Sequence, residues 1–112
     1  MGKRVLVAAR DLFFRSKLTA VVQAAGAELT RDDAACDLAV VELGPADVVD
    51  RIRALAGRGI PVLAFGSHVT PSELRAARDV GAAAVANSAV EARLRKLLGG
   101  ADPGPPARGQ PT

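Results

Sequence analysis

Short apolar runs alternate with helical periodicity along nearly the whole chain, and this alternation restricts the fold more than any single motif. Arg4–Ala9 (R-V-L-V-A-A), Asp37–Leu43 (D-L-A-V-V-E-L) and Ile60–Phe65 (I-P-V-L-A-F) are of strand length and almost continuously apolar. Such runs suit strands covered on both faces, as in a parallel sheet. Ala82–Ala86 is a small-residue strand, and Ala27–Thr30 is a short, weak one.

Helices fit between these runs. Phe14, Leu18, Val21, Val22 and Ala25 fall at helical spacing after Asp11, which is placed to cap the first turn, and Gly26 ends the pattern. Gly44-Pro45 opens a second helix with proline at its first position, and Val48, Val49, Ile52, Leu55 and Ala56 form its inner face. Thr70-Pro71-Ser72-Glu73 and Ser88-Ala89-Val90-Glu91 read as capping boxes. The helices they start carry Leu74, Ala77 and Val80, then Val90, Leu94, Leu97 and Leu98.

One connection departs from the pattern. Arg31–Cys36, between the second and third strands, is polar and too short for more than one helical turn. The expectation is an α/β domain over residues 1–100: a three-layer, doubly wound, parallel five-stranded sheet of order 2-1-3-4-5, its second helix reduced or missing. Residues 101–112 hold four of the seven prolines and no periodicity, and are expected to form a disordered Pro/Gly-rich tail.

Composition narrows the function classes. Fifteen Lys and Arg against twelve Asp and Glu give a net charge of +3. The charges are interleaved, as on solvated helix faces. With no dense basic run, no Trp or Tyr and only three Phe, nucleic-acid binding is not favoured. Cys36 and His68 are the sole cysteine and histidine, which excludes an internal disulfide and a zinc site; no metal is expected, and Cys36 reads as a buried structural thiol. No stretch is long and apolar enough to span a bilayer, and the start leads into a strand instead of a signal peptide. A cytoplasmic protein without a membrane partner is expected.

In doubly wound sheets ligands collect outside the carboxyl ends of the strands. Arg10, Asp11, Glu42, Gly66, Ser67, His68, Asn87 and Ser88 stand there. Arg10, Asp11, Glu42, Ser67, His68 and Ser88 form a possible ligand-binding set, with Gly66 permitting close approach. Each also has a plainer role: Glu42 paired with Arg10, Asp11 and Ser88 as helix caps, His68 as a loop histidine. Arg15 and Lys17 read as solvated, or as an anion site with Arg10 near a helix N-terminus.

These segments resemble a known family. D-L-A-V-V-E-L is similar to the third strand of response-regulator receivers, D-L-V-L-L-D-L. P-V-L-A-F-G-S-H resembles their fourth strand, P-V-I-x-L-T-A, and R-A-A-R-D-V-G-A-A-A-V resembles their fourth helix and fifth strand. The likeness runs from Lys3 to about Leu98 and implies the CheY-like, flavodoxin-like fold. A receiver takes a phosphoryl group on an aspartate beside a bound Mg²⁺. By position, its acidic pair falls on Ala9 and Arg10, with Asp11 one residue late. The acceptor falls on Glu42, the hydroxyl on Gly66 with Ser67 adjacent, and the lysine on Ser88.

The resemblance therefore implies a degenerate receiver. It would be a phosphorylation-independent interaction module of bacterial signalling, not an enzyme, with no catalytic residue and no cofactor. Its partner, another protein or a second copy, would meet the last two helices, where Arg75, Arg78, Arg93, Arg95 and Lys96 form the candidate face. The alternative is a sensor of a small anion or nucleotide at the strand ends.

Overall fold

The computed structural model describes residues 3–44, 46–66 and 70–99. The elements are β1 (Arg4–Ala8), α1 (Leu12–Ala24), β2 (Glu28–Thr30), a 3₁₀ turn (Asp33–Ala35), β3 (Leu38–Glu42), α2 (Val48–Gly57), β4 (Val62–Gly66), α3 (Pro71–Asp79), β5 (Ala83–Ala86) and α4 (Asn87–Leu97). The five strands are all parallel and lie in the order β2-β1-β3-β4-β5. This is the expected doubly wound sheet with its second helix reduced to one turn.

The period-two alternation of the strands divides the core between two faces. On one, α1 and α4 bring Leu18, Val21, Val22, Val90 and Leu94 onto Val5, Leu38, Val40, Leu63 and Phe65. Phe65, fully buried, is the largest side chain there, and Phe14 meets it with ring centroids 5.7 Å apart. On the other face, Val48, Ile52 and Leu55 of α2 and Ala77 of α3 cover Leu6, Ala39, Val41, Ala64 and Ala84. Small residues on β4 and β5 let these helices approach closely. Gly81, at φ 109°, makes the turn into β5, where an added Cβ would lie 2.8 Å from that of Ala56.

The β2–β3 crossover is held by polar contacts in place of an apolar helix face. Asp32 caps the 3₁₀ turn by accepting the Ala34 N–H at 2.9 Å. From α2, the Arg51 guanidinium donates to both Asp33 carboxylate oxygens, at 2.9 and 2.7 Å. Arg58 donates to the carbonyls of Asp33 and Ala34, both at 3.1 Å. The Arg51 hydrogen bonds hold the Asp33 carboxyl below its ordinary range and raise the guanidinium's own affinity for its proton. Cys36 is buried beneath the turn, and burial pushes its thiol pKa up, which fits an unreactive structural cysteine.

Several helix starts differ from expectation. Asp11 does cap α1, accepting the Phe13 and Phe14 N–H groups, and the Thr70–Glu73 capping box forms. Helix α2 starts at Val48, not at Pro45; the proline lies outside the described residues, and Ala46 and Asp47 form a turn before the helix. The Ser88–Glu91 box is absent. Strand β5 runs straight into α4, which places Ser88 inside the first turn with Ala86 at the cap. Glu91 is left to pair with Lys17 at 3.3 Å and Arg95 at 3.2 Å. Leu97, assigned above to the inner face of α4, is 38% exposed, because only Val90 and Leu94 of that helix reach the sheet fully. Gly100 and the 101–112 tail lie outside the described residues.

Candidate functional site

The ends of β1 and β3 are joined by Glu42. Its Oε1 accepts the backbone N–H of Arg10 at 2.6 Å and that of Asp11 at 3.1 Å. The carboxylate therefore stands in for a peptide carbonyl across the β1–α1 turn. Such charge-assisted bonds to backbone N–H groups are short and strong. The expected Glu42–Arg10 ion pair is absent among the described residues; Glu42 engages the backbone of Arg10 and not its side chain. The guanidinium turns instead toward the β3–α2 turn, where its Nη2 lies 3.2 Å from the point a Cβ on Gly44 would occupy.

A cavity of about 480 Å³ opens beside this junction. Leu6, Ala8, Val41 and Val48 supply apolar wall. Arg10, Arg15, Arg31 and Arg51 supply four cations, with Glu42 and Asp47 as the acids. It sits at the carboxyl ends of β1 and β3, between the first turn of α1 and that of α2.

The other expected site residues do not converge here. Asp11 turns its carboxylate to its own helix, toward Phe13 Nα at 2.9 Å and Phe14 Nα at 3.4 Å. Ala9 is buried. Ser88 lines a separate depression between α1 and α4 with Phe14, Lys17, Leu18, Asn87 and Glu91. Lys17 belongs to that depression too, pairing with Glu91 and standing 4.9 Å above the Phe13 ring, so it does not join Arg10 in an anion site. Gly66 ends β4, fully enclosed. Ser67 and His68 lie outside the described residues. Arg15 stands beside Arg10 in the cavity, as the anion-site reading expected, whereas Arg31 escaped the strand-end reading although it directly follows β2; the short β2–β3 linker was the usable signal.

These residues do not fit a divalent cation. Arg10 and Ala9 stand where carboxylates are needed, Asp11 and Glu42 already serve backbone donors, and no group of three or more His, Cys, Asp or Glu among the described residues could ligate one.

On the candidate partner face, Arg78 donates to the Ala84 carbonyl on the open edge of β5 at 2.8 Å, and Arg95 pairs with Glu91. Arg75, Arg93 and Lys96 are exposed, and their side chains make no hydrogen bond or ion pair among the described residues. No described helix is long and apolar enough to cross a membrane.

No protein-family model matches the chain, and no curated protein is significantly similar to it in sequence. Solved structures are similar in fold. A CheY-like receiver-domain protein from Methanospirillum hungatei has a TM-score of 0.72 at 12% identity, over 88% of this chain and 92% of that one. The signal receiver domain of the response regulator NarL from Mycobacterium tuberculosis has a TM-score of 0.66 at 19% identity, over 87% and 93%. An orphan response regulator of H. pylori has a TM-score of 0.67 at 17% identity, over 85% and 92%. The fold is thus that of a CheY-like response-regulator receiver. The family that the sequence resembles and the architecture of the structure agree.

Proposed function

We propose that the chain is a receiver-fold module that acts in the cytoplasm without phosphorylation, by binding a protein partner or a second copy of itself. The observation that carries this reading is the placement of Glu42. At the position where a receiver's acceptor aspartate falls, its carboxylate oxygen is held by the N–H groups of Arg10 and Asp11. An acidic group fixed there by the backbone is withdrawn from in-line attack on a phosphoryl donor. The lack of a carboxylate set for Mg²⁺ among the described residues supports the same reading.

The partner face is assigned to α3, β5 and α4. Arg75, Arg93 and Lys96 give it its free cations, while Arg78 and Arg95 serve the edge of β5 and Glu91. An acidic surface on the partner is the complement. Two experiments test the two halves. Incubation with a small phosphodonor and Mg²⁺ leaves the intact mass unchanged; a gain of one phosphoryl group on Glu42 or Asp11 overturns phosphorylation independence. Cross-linking with mass spectrometry places partner or self contacts on α3 and α4, and the double substitution Arg93→Glu, Lys96→Glu abolishes them. Strict monomers with no retained partner, or contacts indifferent to that substitution, overturn the interaction half.

A further inference from the structure

Three of the four arginines that line the cavity have no side-chain partner among the described residues, as is also true of Arg4, Arg75 and Arg93 elsewhere. Among the described residues, Arg51, Arg53 and Arg95 pair with Asp33, Asp50 and Glu91, and Arg58 and Arg78 hold backbone carbonyls. The guanidinium groups of Arg10, Arg15 and Arg31 make no ion pair or hydrogen bond among the described residues, and all three line the same 480 Å³ cavity. They come from three elements that the fold brings together: the β1–α1 turn, the first turns of α1, and the residue after edge strand β2.

We propose that this cavity binds a small organic phosphomonoester, its phosphate held by Arg10, Arg15 and Arg31 and its apolar body lying on Leu6, Ala8, Val41 and Val48. The charge supports an anion. Of the lining cations, Arg51 is neutralised by Asp33; the remaining three outnumber Glu42 and Asp47, and Glu42 already accepts two N–H groups. The planar guanidinium fork matches phosphate oxygens bidentately, and several forks around one cavity can engage several oxygens. The volume lies inside the usual range of about 300–1,000 Å³ for small-molecule sites, and an apolar wall with a few convergent polar groups is their usual make-up. Gly44 contributes by leaving room for the Arg10 guanidinium, which a side chain at that position would crowd.

The site does not depend on receiver chemistry. It opens at the strand ends, beside a β2–β3 crossover that is a single turn.

The test uses the full chain, labelled for amide NMR, with adenosine monophosphate, adenosine and inorganic phosphate as probes. Adenosine monophosphate is expected to bind more tightly than about 1 mM, a modest affinity for a site of this size. It should shift amides at residues 8–10, 31 and 47–48; phosphate alone binds more weakly and adenosine more weakly still. Arg10→Ala and Arg31→Ala each weaken binding at least about tenfold, a loss of one phosphate contact, and Arg31→Lys, which keeps the charge and loses the fork, falls between. Arg93→Ala, far from the cavity, leaves binding unchanged. Equal loss in Arg93→Ala, shifts confined to α3 and α4, adenosine binding as well as its phosphate, or no shift with any probe each overturns the proposal. Unchanged amide spectra of the free variants separate lost binding from lost folding.

Discussion

The two faces of the sheet are closed by different means. On the α1/α4 face, helices of 13 and 11 residues lay five fully or nearly buried aliphatic side chains across β1, β3 and β4 around Phe65. On the opposite face, α2 and α3 cover β3, β4 and β5, but the ground over β1 and β2 is left to a 3₁₀ turn. That turn is fixed by Arg51 and Arg58, through hydrogen bonds and one bidentate ion pair. Apolar closure is non-directional and scales with buried area. Polar pinning fixes a loop in place but removes little surface from water. The first face is accordingly closed apart from the depression between α1 and α4, and the larger, cation-lined cavity opens at the strand ends beside the pinned turn.

If that contrast is right, the first face should be far more sensitive to truncation. Phe65→Ala removes a ring with no exposed surface and should destabilise the fold by about 3–5 kcal/mol, read as a fall in the urea midpoint with unchanged slope. A loss below about 1 kcal/mol would mean that the face is loosely packed. Gly81→Ala probes the tightly apposed part of the other face. It places a methyl 2.8 Å from Ala56 at a positive φ, and should cost about 1–3 kcal/mol, with the melting temperature as readout. Indifference to this change would show that the α3–β5 turn relaxes freely.

Glu42 sits between the two faces at the strand ends. Glu42→Ala leaves the Arg10 and Asp11 N–H groups to water, since both lie at an exposed turn. The expected loss is about 1–2 kcal/mol, with faster hydrogen exchange at those two amides. Glu42→Gln keeps the acceptor oxygen and should recover about half of it. If both variants exchange like wild type, the carboxylate does not hold the turn.

How much of this was legible in the sequence follows from the kind of interaction. The three apolar runs around Val5, Val40 and Leu63 identify central strands because burial on both faces demands uninterrupted apolar side chains. The shortness of Arg31–Cys36 disclosed the missing helix by simple reach. The contacts that replace that helix were not legible: Arg51 and Asp33 are 18 residues apart, and a surface ion pair leaves no periodicity. Ser88 misled because the capping pattern is local, while the start of α4 is decided by β5 running into it. Glu42 was placed correctly and given the wrong partner, since charge suggests the Arg10 guanidinium and only the turn geometry offers the two N–H groups. Arg31 becomes a neighbour of Arg10 only once β2 lies beside β1.

The smallest expected effect concerns the pinned turn itself. Both members of the Arg51–Asp33 pair are more than a third exposed, so solvent screens it, and about 1 kcal/mol is an upper value for its worth despite bidentate geometry. Its pH dependence is nonetheless distinctive. Arg51 lowers the Asp33 pKa in the folded chain relative to its ordinary value. The pair's contribution is therefore complete above the ordinary carboxylate range near pH 4 and disappears as pH falls through the lower, folded value. Asp33→Asn should be less stable than wild type by up to about 1 kcal/mol at neutral pH, with the difference closing as acid protonates Asp33 in the parent. Arg51→Met should lose the same acid-sensitive increment, and the double variant should lose it only once. A difference that stays constant from neutral to acid would assign the effect to the Asp33 backbone and not to its charge. The hold on the turn would then rest on Arg58, which donates to two carbonyls and, among the described residues, makes no hydrogen-bonded ion pair with a carboxylate.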